Sequence, residues 1–412
     1  MSALQRLWVV SELYFPEETS TGYFITRIAE GLADRFNVRV ICGQPAYSER
    51  GHVAAKKETR AGVKIVRVGA TNFDKDRLAL RLINLVSFSF LVFVHSVRCF
   101  RPNDVVLVVT NPPTGFLLIG IAARLRGAKA VLLVHDVYPD VLVPSGALKN
   151  GCLRYQFLSA IFTRSLSLFA SVVVLGRDMK KLFEAKIGQQ DRPMLALIPN
   201  WGDVDEIEPS RDFSLSFRRR YQLDAMTIIQ FSGNIGRTHD VELVLDVARH
   251  LKHRNDISIL FIGYGGKARI VEDAIQREDL TNVRFLPRQS RTDLGAMLAA
   301  SDATIISLVP GMFGLSVPSR MYNVMAAGVP VIAIADAGSE LCLMVEENGA
   351  GWTPPRDAAA LANLIEAIAT SEGLADARQR GKRGRDAVVA GYARNKVIDS
   401  FASLLLTVGQ SR

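Results

Sequence analysis

The feature that most constrains this chain is a repeated alternation of short β-branched apolar runs with stretches of helical spacing. Runs such as VVLVVT, AVLLV, SVVVL, TIIQF and ISILFI show no in–out alternation. Strands of that kind need apolar cover on both faces, which places them in a sheet between two helix layers. Strand–helix repetition makes such a sheet parallel, with right-handed crossovers. The first series of expected strands lies at 7–14, 38–43, 63–69, 105–110, 130–137, 171–176 and 194–200. The second lies at 227–234, 257–265, 283–287, 303–310 and 329–336. The polar stretch 202–213, GDVDEIEPSRDF, divides them. At 412 residues the chain exceeds what one core usually supports. The expectation is an α/β protein of two Rossmann-like, doubly wound domains, 1–204 and 205–392, facing each other across a cleft. A final helix at about 393–408 is expected to pack back on the first domain. Ligands of open parallel sheets bind at the carboxyl ends of the strands, so functional residues should follow strands.

Composition narrows the class. With 49% apolar and 22% charged residues the chain is an ordinary core-forming one. Cys42, Cys99, Cys152 and Cys342 are widely scattered, which suits a reducing compartment and suggests neither a disulfide framework nor a zinc site. No signal peptide is expected, because the apolar stretch after Arg6 is broken by Glu12, Glu17 and Glu18. The uncharged run Leu82–Val97 is too short to cross a bilayer and reads as a buried or a membrane-surface helix. On the second reading, Val86, Phe90, Phe93 and Val97 share the face that dips into the interface. Residues 1–200 carry 26 Lys/Arg against 15 Asp/Glu, while the whole chain nets +9. A basic first half suits an anionic partner, a phospholipid surface or a phosphate-bearing acceptor, although it also suits a merely solvated surface. Basic residues interleaved with aromatics on a reading helix are missing, so no nucleic-acid partner is expected.

Several clusters follow expected strands. In LSVPSRMYNVMAAGVPVIA, Pro318 is preorganised for a helix start with Ser316 nearby as a cap. The amides of Ser319 and Arg320, with the Arg320 guanidinium, would then suit a diphosphate, and Tyr322 and Asn323 a ribose. The same pattern fits an ordinary capped core helix. In FSGNIGRTHD, Gly233 and Gly236 allow a phosphate to approach the backbone and Arg237 could neutralise it. Gly263-Tyr-Gly-Gly266 occupies an equivalent place. After the first strand, Glu17 and Glu18 are either solvated loop charges or ligands for acceptor hydroxyls. GxGxxG is absent there, which disfavours NAD. His135 and Asp136, in HDVYPD, could orient a hydroxyl or stabilise developing charge. Their spacing is not that of a metal site. Asp203 and Asp205 form an Asp-x-Asp without a phosphate loop beside it, so no metal is assigned to them either.

Together these clusters resemble glycosyltransferase family 4, a retaining family with the GT-B fold. The resemblance runs from about Val9 to the end and is densest at 195–335. IPNWGD resembles the family's domain-junction signature, FSGNIGR its phosphate-binding glycine loop, and NVRFLP its base-contacting segment. Ser301-Asp302 and Gly338-Ser-Glu340 continue the order, and HDVYPDVLVPSGALK is similar to bacterial surface-polysaccharide transferases of fucosaminyl or colanic-acid type. The family's Glu-x7-Glu pair falls on Leu315 and Asn323, and its glycine-loop Arg and Lys fall on Asn234 and His239, so sugar identity does not carry over.

The resemblance implies transfer of a sugar from a UDP- or GDP-sugar, bound as substrate with no further cofactor, with retention and without metal. It implies Gly22, Gly233, Asn234, Gly236, Ser319, Tyr322, Asn323 and the Phe285-Leu286-Pro287 backbone at the donor. Arg237, Arg320, His135 and Asp136 would serve the chemistry, and Glu17 and Glu18 the acceptor. That acceptor would be a lipid-linked saccharide, reached from a cytoplasmic, peripheral position on the inner membrane face. Alternatives are a sugar-nucleotide epimerase of the same fold and a non-catalytic nucleotide-binding partner in a polysaccharide assembly complex.

Overall fold

In a computed structural model the described residues are 4–45, 53–69, 71, 73, 78–187, 193–208, 211–223 and 226–411. The first series runs β1 (Arg6–Val10), α1 (Ser20–Gly31), β2 (Asn37–Cys42), β3 (Lys57–Arg60), β4 (Val63–Arg67) and α2 (Leu78–Cys99). It continues with β5 (Val105–Val109), α3 (Gly115–Leu125), β6 (Lys129–Leu133), α4 (Leu153–Ser165), β7 (Ser171–Val174), α5 (Arg177–Lys186) and β8 (Met194–Leu197). These strands form one eight-stranded sheet in the order β3-β4-β2-β1-β5-β6-β7-β8. All its pairings are parallel except β3 with β4. The all-apolar runs occupy its centre, and β5 is buried at every position, as strands covered on both faces must be.

The second series runs α6 (Arg211–Arg220), β9 (Thr227–Asn234), α7 (Val241–His250), β10 (Ile257–Tyr264), α8 (Ala268–Glu278), β11 (Val283–Pro287) and α9 (Leu294–Ala299). It ends with β12 (Ala303–Ser307), α10 (Arg320–Ala326), β13 (Val331–Ile334), α11 (Glu340–Glu347), β14 (Gly351–Trp352), α12 (Ala358–Ile368) and α13 (Ser371–Gly391). Its six-stranded sheet has the order β11-β10-β9-β12-β13-β14 and is parallel throughout. A last helix, α14 (Arg394–Gln410), returns to the first sheet and packs on α1, β5 and β6. Its inward face is apolar, with Val397, Phe401 and Leu405 buried.

Two strands are additional to the sequence reading. β3 is polar, KETR, and β14 has only two residues, so neither carries an apolar run. The expected strands at 7–14 and 130–137 are shorter than their apolar runs, because Ser11–Tyr14 and Val134–Val137 leave the sheet as buried loops. The helix after β1 starts at Ser20 rather than near Tyr23, where the Thr19 hydroxyl accepts the Gly22 amide at 3.3 Å.

The final helix is thus a structural part of the first sheet's core. Phe401→Ala, which empties a site only 1% exposed, is expected to lower unfolding free energy by about 3–5 kcal/mol, measured by urea denaturation.

Candidate active site

The loops at the carboxyl ends of both parallel sheets meet each other, as doubly wound topology predicts for a ligand cleft. After β1, the Ser20 hydroxyl lies 2.7 Å from that of Ser319. Arg288, just beyond β11, donates to the carboxylate and the carbonyl of Glu18 at 3.1 and 3.2 Å. After β6, Asp136 bridges to Ser316, and the Val137 amide donates to the Leu315 carbonyl at 3.0 Å. After β7, the Arg177 guanidinium grips Glu340 with bonds of 3.0 and 3.1 Å, and the Arg177 amide adds a third of 2.7 Å. Gly314 donates to Asp178 at 3.1 Å in the same place.

The second-domain side of the cleft is built on paired glycine loops. Register sets Gly233 opposite Gly263 on adjacent strands β9 and β10. Gly263 has φ +149, and a side-chain carbon there would fall 1.9 Å from the Gly233 carbonyl oxygen, so only glycine fits. Gly233, at φ +111, leaves open the space in front of Arg320: a side-chain carbon there would meet nothing nearer than 3.5 Å. Asn234 and Gly233 are exposed, while the Asn234 side chain folds over Gly236.

Arg320 is the most distinctive group here. Its Nη1 donates to the Ser232 carbonyl at 2.8 Å, and the guanidinium lies 4.9 Å above the Phe231 ring. Its Nε and Nη2 are buried without a hydrogen-bond partner. Burial lowers its pKa to about 10. A buried cation with two idle donors is costly unless an anion comes to it. His239 lies close by, its Nδ1 also buried and unpartnered, and burial with the nearby Arg320 charge holds it well below the usual histidine range. The positive charge at this site therefore comes from Arg320, while His239 is a neutral neighbour. Arg237 is exposed and has no ion pair among the described residues.

Other placements modify the sequence reading. Tyr322 is 0% exposed and its ring lies tilted against that of Tyr392 with centres 5.4 Å apart, so it belongs to the domain junction and does not face a ribose. Asn323 is half-buried, and its Oδ1 accepts the Asp203 amide at 2.9 Å. Ser316 pairs with Asp136 and does not cap α10, and α10 itself has only seven residues, so the guanidinium matters more than any helix dipole. Glu17 is buried against Gly22, which rules out a solvated loop charge. Glu18 is exposed and pairs with Arg288 across the opening. Phe285, Leu286 and Pro287 form the end of edge strand β11, with Pro287 exposed at its tip.

His135 follows β6, with its amide on the Thr110 hydroxyl at 3.2 Å and its Nε2 buried and unpartnered. Burial lowers its pKa to about 4. Asp136 shares the Thr110 hydroxyl at 3.4 Å; burial raises its pKa, and the Ser316 hydrogen bond opposes that rise.

Asp203 has a role the sequence did not suggest. Its carboxylate, 1% exposed, accepts Tyr23 Oη at 2.6 Å, Trp201 Nε1 at 3.0 Å and Arg291 Nη2 at 2.5 Å. Arg291 also lies 3.2 Å above the Tyr23 ring. The other half of the Asp-x-Asp, Asp205, faces solvent toward Arg394 at 3.9 Å. No cluster of metal-binding side chains occurs among the described residues. Arg288, Arg291 and Ser20 do not stand out in the sequence, although all three follow strands and the carboxyl-edge rule applies to them equally.

Two measurements test this geometry. Asp203→Ala should cost about 3 kcal/mol in denaturant unfolding, because Arg291 and two buried donors lose their acceptor. His135 binds its proton less readily folded than unfolded, so its contribution to stability is complete above pH about 6.5 and is lost as pH falls toward 4. Thermal unfolding followed against pH should show that fall flattened in His135→Asn relative to wild type.

Comparison with known proteins agrees with this geometry. Residues 21–201 match the family model for a Glycosyl transferase 4-like domain, and residues 217–387 that for Glycosyl transferases group 1. The chain is 32% identical over 366 residues to the probable glycosyltransferase WbjE of Pseudomonas aeruginosa, covering 89% of this chain and 90% of that one. It is 29% identical over 348 residues to the putative colanic acid biosynthesis glycosyl transferase WcaI of Escherichia coli K12, covering 81% and 84%. Among solved structures, Anabaena HepE in complex with UDP-glucose superposes with a TM-score of 0.73 at 15% identity, covering 98% of this chain and 99% of that one. With two parallel-sheet domains meeting at their carboxyl edges and these relatives over most of its length, the chain belongs to glycosyltransferase family 4 and has the GT-B fold.

Proposed function

We propose that this glycosyltransferase moves a sugar from a UDP- or GDP-sugar to a lipid-linked saccharide at the inner face of the cell membrane, with retention of configuration and without a metal ion. The single observation that carries the donor half is Arg320, a buried guanidinium with two idle donors behind the open glycine at 233. Departure of a nucleoside diphosphate accumulates negative charge on its outer phosphate. A preorganised guanidinium in a site shielded from water stabilises that charge strongly. Arg237 adds a solvent-exposed charge at the same loop and Ser319 a hydroxyl.

HepE, of the same fold, holds UDP-glucose, which favours a uridine donor. WcaI is named for colanic acid biosynthesis, which favours a growing polysaccharide as the acceptor. His135 is a neutral imidazole at neutral pH, able to take one hydrogen bond at Nε2 from a donor or acceptor hydroxyl. Asp136 beside it is held by Ser316 of the other domain, so domain closure and the position of this loop are linked. The Glu18–Arg288 and Ser20–Ser319 pairs lie across the same opening and must separate when a donor enters.

Titration with UDP and with GDP in the presence of EDTA should raise thermal stability, by about 2.7 kcal/mol at a hundredfold excess over the dissociation constant. Arg320→Ala should abolish that shift and lower transfer about 100-fold or more while leaving the fold intact. Undiminished transfer by Arg320→Ala would sink the assignment.

A further inference from the structure

A surface helix normally buries its apolar stripe and shows its polar one. α4 buries Phe162 but shows a second apolar stripe on its outer side. Phe162 and Ser165 are its buried residues, whereas Leu153, Phe157 and Ile161, four residues apart, form a stripe on the opposite side. Leu153 is 83% exposed and Phe157 66%. α3 packs against both α4 and α2, so the three helices form one layer over the first sheet. Its outer side continues with Leu125 at the end of α3 and with Ile83, Val86 and Phe90 on α2. Phe93 and Val97, expected on that same face, are half-buried against the core, and the side chain of Leu82 lies outside the described residues.

The charges on this layer are of one sign. The sequences of α2, α3 and α4 contain five arginines and no aspartate or glutamate. Arg98, Arg124, Arg154 and Arg164 are exposed, and none has an ion-pair partner among the described residues. Arg154 and Arg164 share the face of α4 that carries the apolar stripe. Long apolar side chains interleaved with unpaired arginines suit a bilayer interface, where the former enter the acyl boundary and the latter reach anionic headgroups. A second copy of the chain fits poorly, since a two-fold contact would set arginines against arginines.

We propose that the outer face of α2, α3 and α4 docks on an anionic phospholipid surface, with α4 as the element that enters the interface. No helix among the described residues is long and apolar enough to span a membrane, so the attachment is peripheral. The proposal rests on the lipid-linked acceptor reading only for its purpose. The Asp140 carboxylate accepts Tyr155 of α4 at 3.0 Å and Lys186 at 2.8 Å, which ties the docking helix to the loop that begins with His135 and Asp136. Docking on α4 therefore places that loop beside the membrane from which a lipid-linked saccharide would come.

The test is flotation of the full chain with phosphatidylglycerol vesicles and with phosphatidylcholine vesicles, at low and high salt, with UDP thermal shifts on the same samples. The expected result is flotation with phosphatidylglycerol at low salt, lost at high salt, and absent with phosphatidylcholine. The paired variants Phe157→Glu/Ile161→Glu and Arg154→Glu/Arg164→Glu should each partition about tenfold less while keeping the wild-type UDP shift, since these side chains are exposed and outside the cleft. Failure of the wild type to float, or undiminished flotation of both variants, would overturn the proposal. So would a wild-type dimer that Phe157→Glu/Ile161→Glu dissociates without any flotation, which would assign the face to a second copy. Loss of the UDP shift in a wild type that still floats counts against the donor reading and leaves this surface standing.

Discussion

The structure depends on one buried carboxylate at the point where its two sheets join. Asp203 accepts hydrogen bonds from Tyr23 on α1, from its near neighbour Trp201, and from Arg291 beyond β11. Its own amide is taken by Asn323 on α10. A carboxylate this deeply buried is tolerable only when its oxygens are occupied and a cation is close. Each partner comes from a different element, so satisfying Asp203 fixes the first helix of one domain against two elements of the other. The surrounding aromatic contacts strengthen the arrangement, with Phe24 edge-on to Trp201 at 4.5 Å. Burial and the Asp203 charge push the Tyr23 phenol up to about 12, which keeps it a donor at every working pH.

The cleft follows from that junction. Arg177 with Glu340, Asp178 with Gly314, and Asp136 with Ser316 repeat the same device at three further points, each joining a post-strand loop of one sheet to one of the other. Strong polar contacts are thus concentrated along the walls, while the guanidinium of Arg320 is left with idle donors. Structure and chemistry divide the charged groups between them. Paired charges hold the domains in register, while Arg320 keeps two buried donors for an anion.

The same division appears on the outside of the first domain. The helices that cover its sheet are apolar on the inner face, as packing demands, but α4 is apolar on the outer face as well. Nothing in the fold of the first domain requires Leu153 or Phe157 where they are. Their cost in exposed apolar surface makes sense only for a surface that meets something other than water.

The all-apolar runs were enough to identify parallel strands, because only a sheet covered on both faces tolerates them, and the polar stretch at 202–213 located the change from one sheet to the next. The placement of Gly233, Gly236 and Arg320 at a carboxyl edge of the second sheet was also legible, because they lie at the end of or beyond apolar runs. Polar β3 and two-residue β14 were not, since both owe their existence to a neighbouring strand. Tyr322 and Asn323 looked like ligand groups in sequence, and only packing revealed that the Tyr322 ring and the Asn323 Oδ1 belong to the junction. Asp203 looked like half of a motif until three elements distant in sequence converged on it. By itself the sequence determined the apolar strands, the helices between them and which loops end at a carboxyl edge, because those properties depend on local periodicity. Which charges find partners and which stay free was decided by the tertiary structure, because pairing depends on distances between residues far apart in the chain.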